Sequence, residues 1–183
     1  MACDLTNGRL LDDCLVGRAG IKTVFYAKYN DFIALTGKLI VGGEYTDLGA
    51  DPITIYRFEM ADNVGMFDET INTARENGTS FLAKTITMTL FNIKPADLVD
   101  LDALKLGRWT MWTLDFQGAI RIFGDTNGCT STGGVENSGT AAGDKKGLDQ
   151  VFLAEEDYYA LFMAAYTTTP FDNFANVTVN PVY

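Results

Sequence analysis

Along residues 66–91, apolar and polar positions alternate on two successive segments that meet at Asn77-Gly78, the dipeptide best suited to a tight hairpin turn. With those two residues as the turn, Asp68 faces Thr87, Thr70 faces Thr85, Asn72 faces Ala83, Met66 faces Thr89 and Glu76 faces Thr79. One face is then almost wholly polar, carrying Asp68, Thr70, Asn72, Glu76, Thr79, Thr85, Thr87 and Thr89 without a Lys or Arg. The other face pairs Thr73 with Leu82, Ile71 with Lys84, Glu69 with Ile86 and Phe67 with Met88, so it is apolar at its base and charged nearer its tip. The pattern predicts a long amphipathic hairpin whose wet face meets something negatively charged without adhering to it, and whose tip is Asn77 and Gly78.

Elsewhere the periodicities are shorter. Residues 21–27 and 32–35 are β-prone runs separated by Tyr29-Asn30-Asp31, which predicts a first hairpin, and residues 53–60 alternate as a further strand after Pro52. Residues 95–106 predict a helix, with Pro95 in the first turn, Asp97 and Asp100 early, Lys105 late and Gly107 as the stop. Leu98, Leu101 and Leu104 should form its buried stripe. Strand character returns over 108–116, 119–123 and 148–154, while 155–166 fits a helix or a strand, and 176–183 fits an edge strand or an extended tail. The polar, glycine-bearing stretches 1–19 and 124–147 read as an arm and a long loop that become ordered only between subunits.

Composition narrows the chemistry. A chain of 183 residues with 47% hydrophobic content and no linker-like tract predicts one domain spanning 1–183. No apolar run approaches the ~20 residues of a membrane-spanning helix, and the start lacks a signal-peptide pattern, so a soluble protein made in the cytoplasm is the expectation. The net charge of −10 opposes tight nucleic-acid binding, which needs Lys and Arg to displace counterions. With no histidine, a catalytic triad or a His-based metal site is excluded, and Cys3, Cys14 and Cys129 lack metal-ligand spacing and read as free thiols. Glu155-Glu156-Asp157 reads as a solvated strand end rather than a catalytic pair, and Asp125-Thr126-Asn127-Gly128 as an ordinary turn rather than a calcium loop, because no Glu follows at the required distance. Trp109 and Trp112 read as core. No residue pattern points to an enzyme or to a cofactor.

The hairpin around Glu76-Asn77-Gly78-Thr79 leading into Lys84-Thr85-Ile86-Thr87-Met88-Thr89-Leu90, the helix after Pro95 and the passage from Gly139 through Leu148 to Glu156 together resemble the tail-tube proteins of long-tailed bacteriophages. The opening Ala2-Cys3-Asp4-Leu5-Thr6-Asn7-Gly8-Arg9, with Cys14 and Gly20-Ile21-Lys22, is similar to the start of virion structural proteins from phages of Bacteroidetes-type hosts. The resemblance implies a mainly β fold, an antiparallel β-sandwich or barrel with a long central hairpin and one flanking helix. It also implies a homo-oligomer of stacked hexameric rings that contacts other tail or neck proteins of the virion. In that setting the polar hairpin face lines a channel through which DNA slides without being held. A neck or collar ring of the same fold, or a capsid decoration protein, is the alternative.

Overall fold

The computed structural model describes residues 17–61 and 64–181. Strand β1 (Ile21–Lys28) leads into helix α1 (Tyr29–Ala34), the short strands β2 (Leu39–Val41) and β3 (Glu44–Asp47), and strand β4 (Ile53–Glu59). The hairpin strands β5 (Met66–Ala74) and β6 (Thr79–Phe91) follow, then helix α2 (Asp97–Leu106), β7 (Arg108–Asp115), β8 (Ile120–Phe123), β9 (Cys129–Asn137), β10 (Gly147–Glu156), β11 (Phe162–Met163) and β12 (Val177–Asn180). The fold is mainly β. Its strands join one mixed sheet that curls into a half-barrel, in the order β2-β3-β11-β8-β7-β9-β10-β6-β5, with β1 and β4 branching from β7 and β12 beyond them. Most pairings are antiparallel; β11 with β3 and β12 with β4 are parallel. The bridge between Ile21 and Gly65 brings the start of β5 back against β1.

Strands β1 and β7 pair along nearly their whole length and form the spine of the molecule. Each has a core on both faces, which is why both read as nearly continuous buried runs rather than as alternating ones. On one side Phe25, Trp112 and Leu114 pack with Phe32, Ile55 and Phe171. On the other, Val24, Tyr26 and Met111 pack with Ile86, Met88, Phe152 and the helix residues Leu101 and Leu104. Trp109 and Trp112 are both buried, as their sequence context predicts.

Several local expectations change. Residues 29–34 form α1 rather than the second arm of a hairpin, so β1 finds its partners far along the chain in β4 and β7. Residues 155–166 are neither a helix nor one strand: β10 ends at Glu156 and only Phe162 and Met163 form a ladder. The stretch 124–147 is not a structureless loop, because Cys129–Asn137 is a strand held by β10 on one side and, at Thr130 and Cys129, by β7 on the other. The predicted arm 1–19 lies largely outside the described residues. Helix α2 occupies its predicted place, with Asp97 accepting the Lys94 N–H at 2.7 Å and the Trp109 indole N–H donating to the Leu104 carbonyl at 3.1 Å. Gly107 ends it with a negative φ, and its glycine is required sterically: a Cβ there would lie 2.4 Å from the Trp109 ring. Leu101 and Leu104 are buried but Leu98 is 50% exposed, because the sheet beneath the helix's first turn recedes into a groove.

The hairpin exists, with a pairing displaced by two residues. Asp68 faces Thr85 rather than Thr87, and Ala74 faces Thr79. Residues 75–78 make the connection as a 3₁₀ turn in which only Gly78 is left-handed (φ 66°), its N–H donating to the Arg75 carbonyl at 3.3 Å. A two-residue Asn-Gly turn would need positive φ at both residues. The observed register sets Glu69 against Lys84 and Ile71 against Leu82, matching charge with charge and apolar with apolar where the tighter turn would mismatch them. A shift of two residues preserves which side chains share a face.

The turn yields a stability prediction. A Cβ at Gly78 would meet no atom within 4 Å, so only its positive φ matters. Gly78→Val is expected to lower the unfolding free energy by about 1–2 kcal/mol and Gly78→Asn by clearly less, measured by urea denaturation; equal losses for the two variants would contradict the backbone argument.

Candidate functional site

Two polar assemblies occupy opposite faces of β6. The outward one is the predicted strip. Even-numbered positions of β5 and odd-numbered positions of β6 point away from the core formed by Ile86, Met88 and Phe152, so Asp68, Thr70, Asn72, Thr79, Thr85 and Thr87 do share a face. Asp68, Thr70 and Thr79 are exposed, and Asn72, Thr85 and Thr87 are half-buried. Glu76, Asn77 and Gly78 lie in the exposed turn, so Glu76 stands beside the strip rather than on it. Thr89 is buried and donates to Asp149 at 2.5 Å, which withdraws its hydroxyl from the surface. Strand β10 widens this face with Asp149, Val151 and Leu153. It also brings a cation, since Lys145 bonds both oxygens of Asp149; the wet face therefore ends in an ion pair that the hairpin alone does not reveal.

The inward assembly joins residues that sequence reasoning set aside. On the core side of β6, Lys84 sits in line with Leu82, Ile86 and Met88 and is fully buried. Its ammonium donates to Glu156 Oε2 at 2.7 Å, with neither side chain exposed. Glu156 also accepts the Thr126 N–H at Oε1 (2.9 Å) and the Gly124 N–H at Oε2 (3.4 Å). Asp125 lies alongside, with Oδ2 accepting the hydroxyls of Tyr158 (2.8 Å) and Tyr45 (3.0 Å), while Oδ1 has no donor among the described residues. The run Glu155-Glu156-Asp157 is therefore not simply a solvated strand end, and Asp125 is not simply an exposed turn residue: both inner carboxyls are buried. Nearby, Glu69 accepts the Ala160 N–H at 2.6 Å and lies 3.8 Å from Arg121.

Burial and the adjacent Glu156 charge push the Asp125 carboxyl up to about 6. Burial acts the same way on Glu156, but the Lys84 hydrogen bond, the Thr126 N–H and the Lys84 charge outweigh it and hold Glu156 below its ordinary value. Burial, together with Asp125, raises the Tyr45 hydroxyl; burial first, and Asp125 with it, raises that of Tyr158, so both stay protonated donors. The two carboxyls lie within hydrogen-bonding reach, a contact that is attractive only with a proton between them. One buried lysine compensates one of them, and the other takes up a proton as the pH falls toward 6. The signal that would have located this cluster is Lys84 itself, a lone cation on an apolar strand face that requires a buried partner.

No group of three or more potential metal ligands occurs among the described residues, and no helix there is long and apolar enough to cross a membrane. Cys129 is buried as a free thiol. No protein-family model, curated protein or solved structure matches the chain.

Two predictions test the inner cluster. Lys84→Met leaves Glu156 charged and unpaired and is expected to lower stability by about 3–5 kcal/mol, most of it recovered in Lys84→Met/Glu156→Gln; a double variant no better than the single one would contradict the pairing argument. Asp125 is protonated more readily folded than unfolded, so its stabilising contribution is complete near pH 4 and is lost as the pH rises to about 6. Asp125→Asn, always neutral, should therefore gain on the wild type through that window by about 3 kcal/mol, after which the difference between the two stays constant. Urea midpoints between pH 4 and 8 decide it, and parallel profiles would refute it.

Proposed function

We propose that this chain is a structural protein of a bacteriophage virion: a self-assembling subunit of a tail tube, or of a tail or neck ring, whose hairpin face lines the passage for DNA. The observation that carries this reading is the outward strip of Asp68, Thr70, Thr85 and Thr87, hydroxyl-rich and acidic, on a hairpin whose other face enters the core at its base through Leu82, Ile86 and Met88. Such a surface solvates well and offers phosphate no cation along β5 and β6, so DNA passes it without counterion release. The strip's position on an edge hairpin supports the reading too, because strand β5 has no further ladder partner among the described residues and repeated copies would set such strips side by side around a lumen. In this reading the fold is the sandwich-like or barrel-like type of tail-tube proteins, the oligomer is a stacked, hexameric ring, and the lasting contacts are with other virion proteins.

The decisive experiment combines size-exclusion chromatography and negative-stain microscopy of the purified chain with a lumen charge reversal. The wild type is expected to form rings or tubes that do not retain DNA. Asp68→Lys/Asn72→Lys should assemble equally well but hold DNA, with retention falling at least about tenfold between roughly 50 and 200 mM salt. A chain that stays small at every concentration and joins only preformed capsids would instead be a decoration protein, and assembled double-Lys rings that ignore DNA would place the strip on the outside.

A further inference from the structure

Strand β2 is anomalous. Its residues Leu39, Ile40 and Val41 are 53%, 46% and 57% exposed. Successive strand residues point to opposite faces, so neither face of β2 is covered. Its only ladder partner among the described residues is β3, which leaves the other backbone edge unpaired. An apolar edge strand open on three sides is a template for another strand.

The same chain carries a groove with complementary needs. A cavity of about 490 Å³ opens between α2 and strands β9 and β10, walled by Ile93, Leu98, Leu101 and Leu148 and bordered by Gly133 and Gly134 of β9. Its volume is that of a ligand site rather than a packing defect. Strand β9 bonds β10 along its length, but on its other side it meets β7 only at Thr130 and Cys129. From Ser131 onward that edge has no ladder partner among the described residues. Gln150 also lines the groove, and its buried Oε1 has no hydrogen-bond donor among the described residues. The charges around the groove are balanced among themselves: Asp102 pairs with Lys105 at 2.8 Å on its wall, and Glu136 shares its adjoining end with the exposed Lys146, so the occupant that fits is an uncharged strand such as Leu39-Ile40-Val41.

We propose that β2 of one copy adds as a strand to the free edge of β9 in a second copy, with its apolar side chains entering the groove beside α2. The inference rests on the self-assembly reading above and names its lateral contact. Backbone pairing supplies affinity and the alternate side chains supply fit, as in other strand additions. Because donor edge and acceptor groove are different surfaces, the contact runs head to tail from copy to copy, closing a ring when the rotation per subunit permits.

Two variants of the full chain test it. Leu39→Asp/Val41→Asp disables the donor edge and Leu98→Asp the groove wall; all three positions are exposed, so circular dichroism should be unchanged. Each variant alone is expected to need at least a tenfold higher concentration to assemble than the wild type. Mixed, they retain one good contact between them and should form a heterodimer that grows no further. In a Cys3→Ser/Cys14→Ser background, Ile40→Cys should form an intersubunit disulfide with a cysteine at Ser131, Thr132 or Gly133, since paired strands bring Cα atoms within disulfide range. If the wild type assembles while both variants do so equally well and no disulfide forms, this contact is refuted and the assembly reading stands. If the wild type never assembles, both fall.

Discussion

The pairing of Lys84 with Glu156 is the contact on which the rest of the sheet depends. It fixes β6 against β10 from the inside, and with Glu69 opposite Lys84 it ties the register of three neighbouring strands to one buried charge. A slip of one residue in either ladder would strand that charge in an apolar core, a far larger penalty than any loss of ladder hydrogen bonds. The outward faces of the same strands are weakly patterned, with threonines alternating among small and apolar residues, and would not define the register unaided. The inner ion pair thus determines which side chains the outer surface displays.

That division of labour between faces extends to the spine. Strands β1 and β7 are covered on both sides and offer little surface, so the two candidate contact surfaces described above lie on the wings that diverge from β7. One wing ends in the uncovered β2 and the other carries β9, β10 and the polar hairpin. The buried carboxyls of Asp125 and Glu156 sit where the two meet, since Asp125 follows β8 of the first wing and Glu156 ends β10 of the second.

What the sequence discloses follows the range of the forces involved. The hairpin and its two faces, helix α2 and the buried tryptophans rest on local periodicity and were legible. The turn's register was not, because Asn77-Gly78 suits two connections and only the cross-strand match of Glu69 with Lys84 distinguishes them. Helix α1 was missed because β1 takes partners far away instead of its neighbour, and β9 was hidden by glycine, serine and threonine in a strand whose order comes from β10. The polar strip could be read residue by residue except at Thr89 and Glu76, where a partner strand and the turn respectively removed them from it. The carboxyl cluster was invisible for a different reason: Asp125 and Glu156 each resemble ordinary turn or strand-end acids, and only the tertiary fold brings them to the same lysine.

The long reach of these ladders also dictates a schedule. Hairpin β5–β6 closes over a short loop and can form at once, whereas the second partner of each of β1, β3 and β4 comes later, as β7, β11 and β12, the last of them near the end of the described chain. Non-local closures of this kind slow folding. A nascent chain emerging from the ribosome therefore displays its polar hairpin early, yet strand β3, on which β2 hangs, is anchored only after β11 has been translated. The order of synthesis keeps the apolar edge from being presented in its final geometry until the body that must carry it is nearly complete.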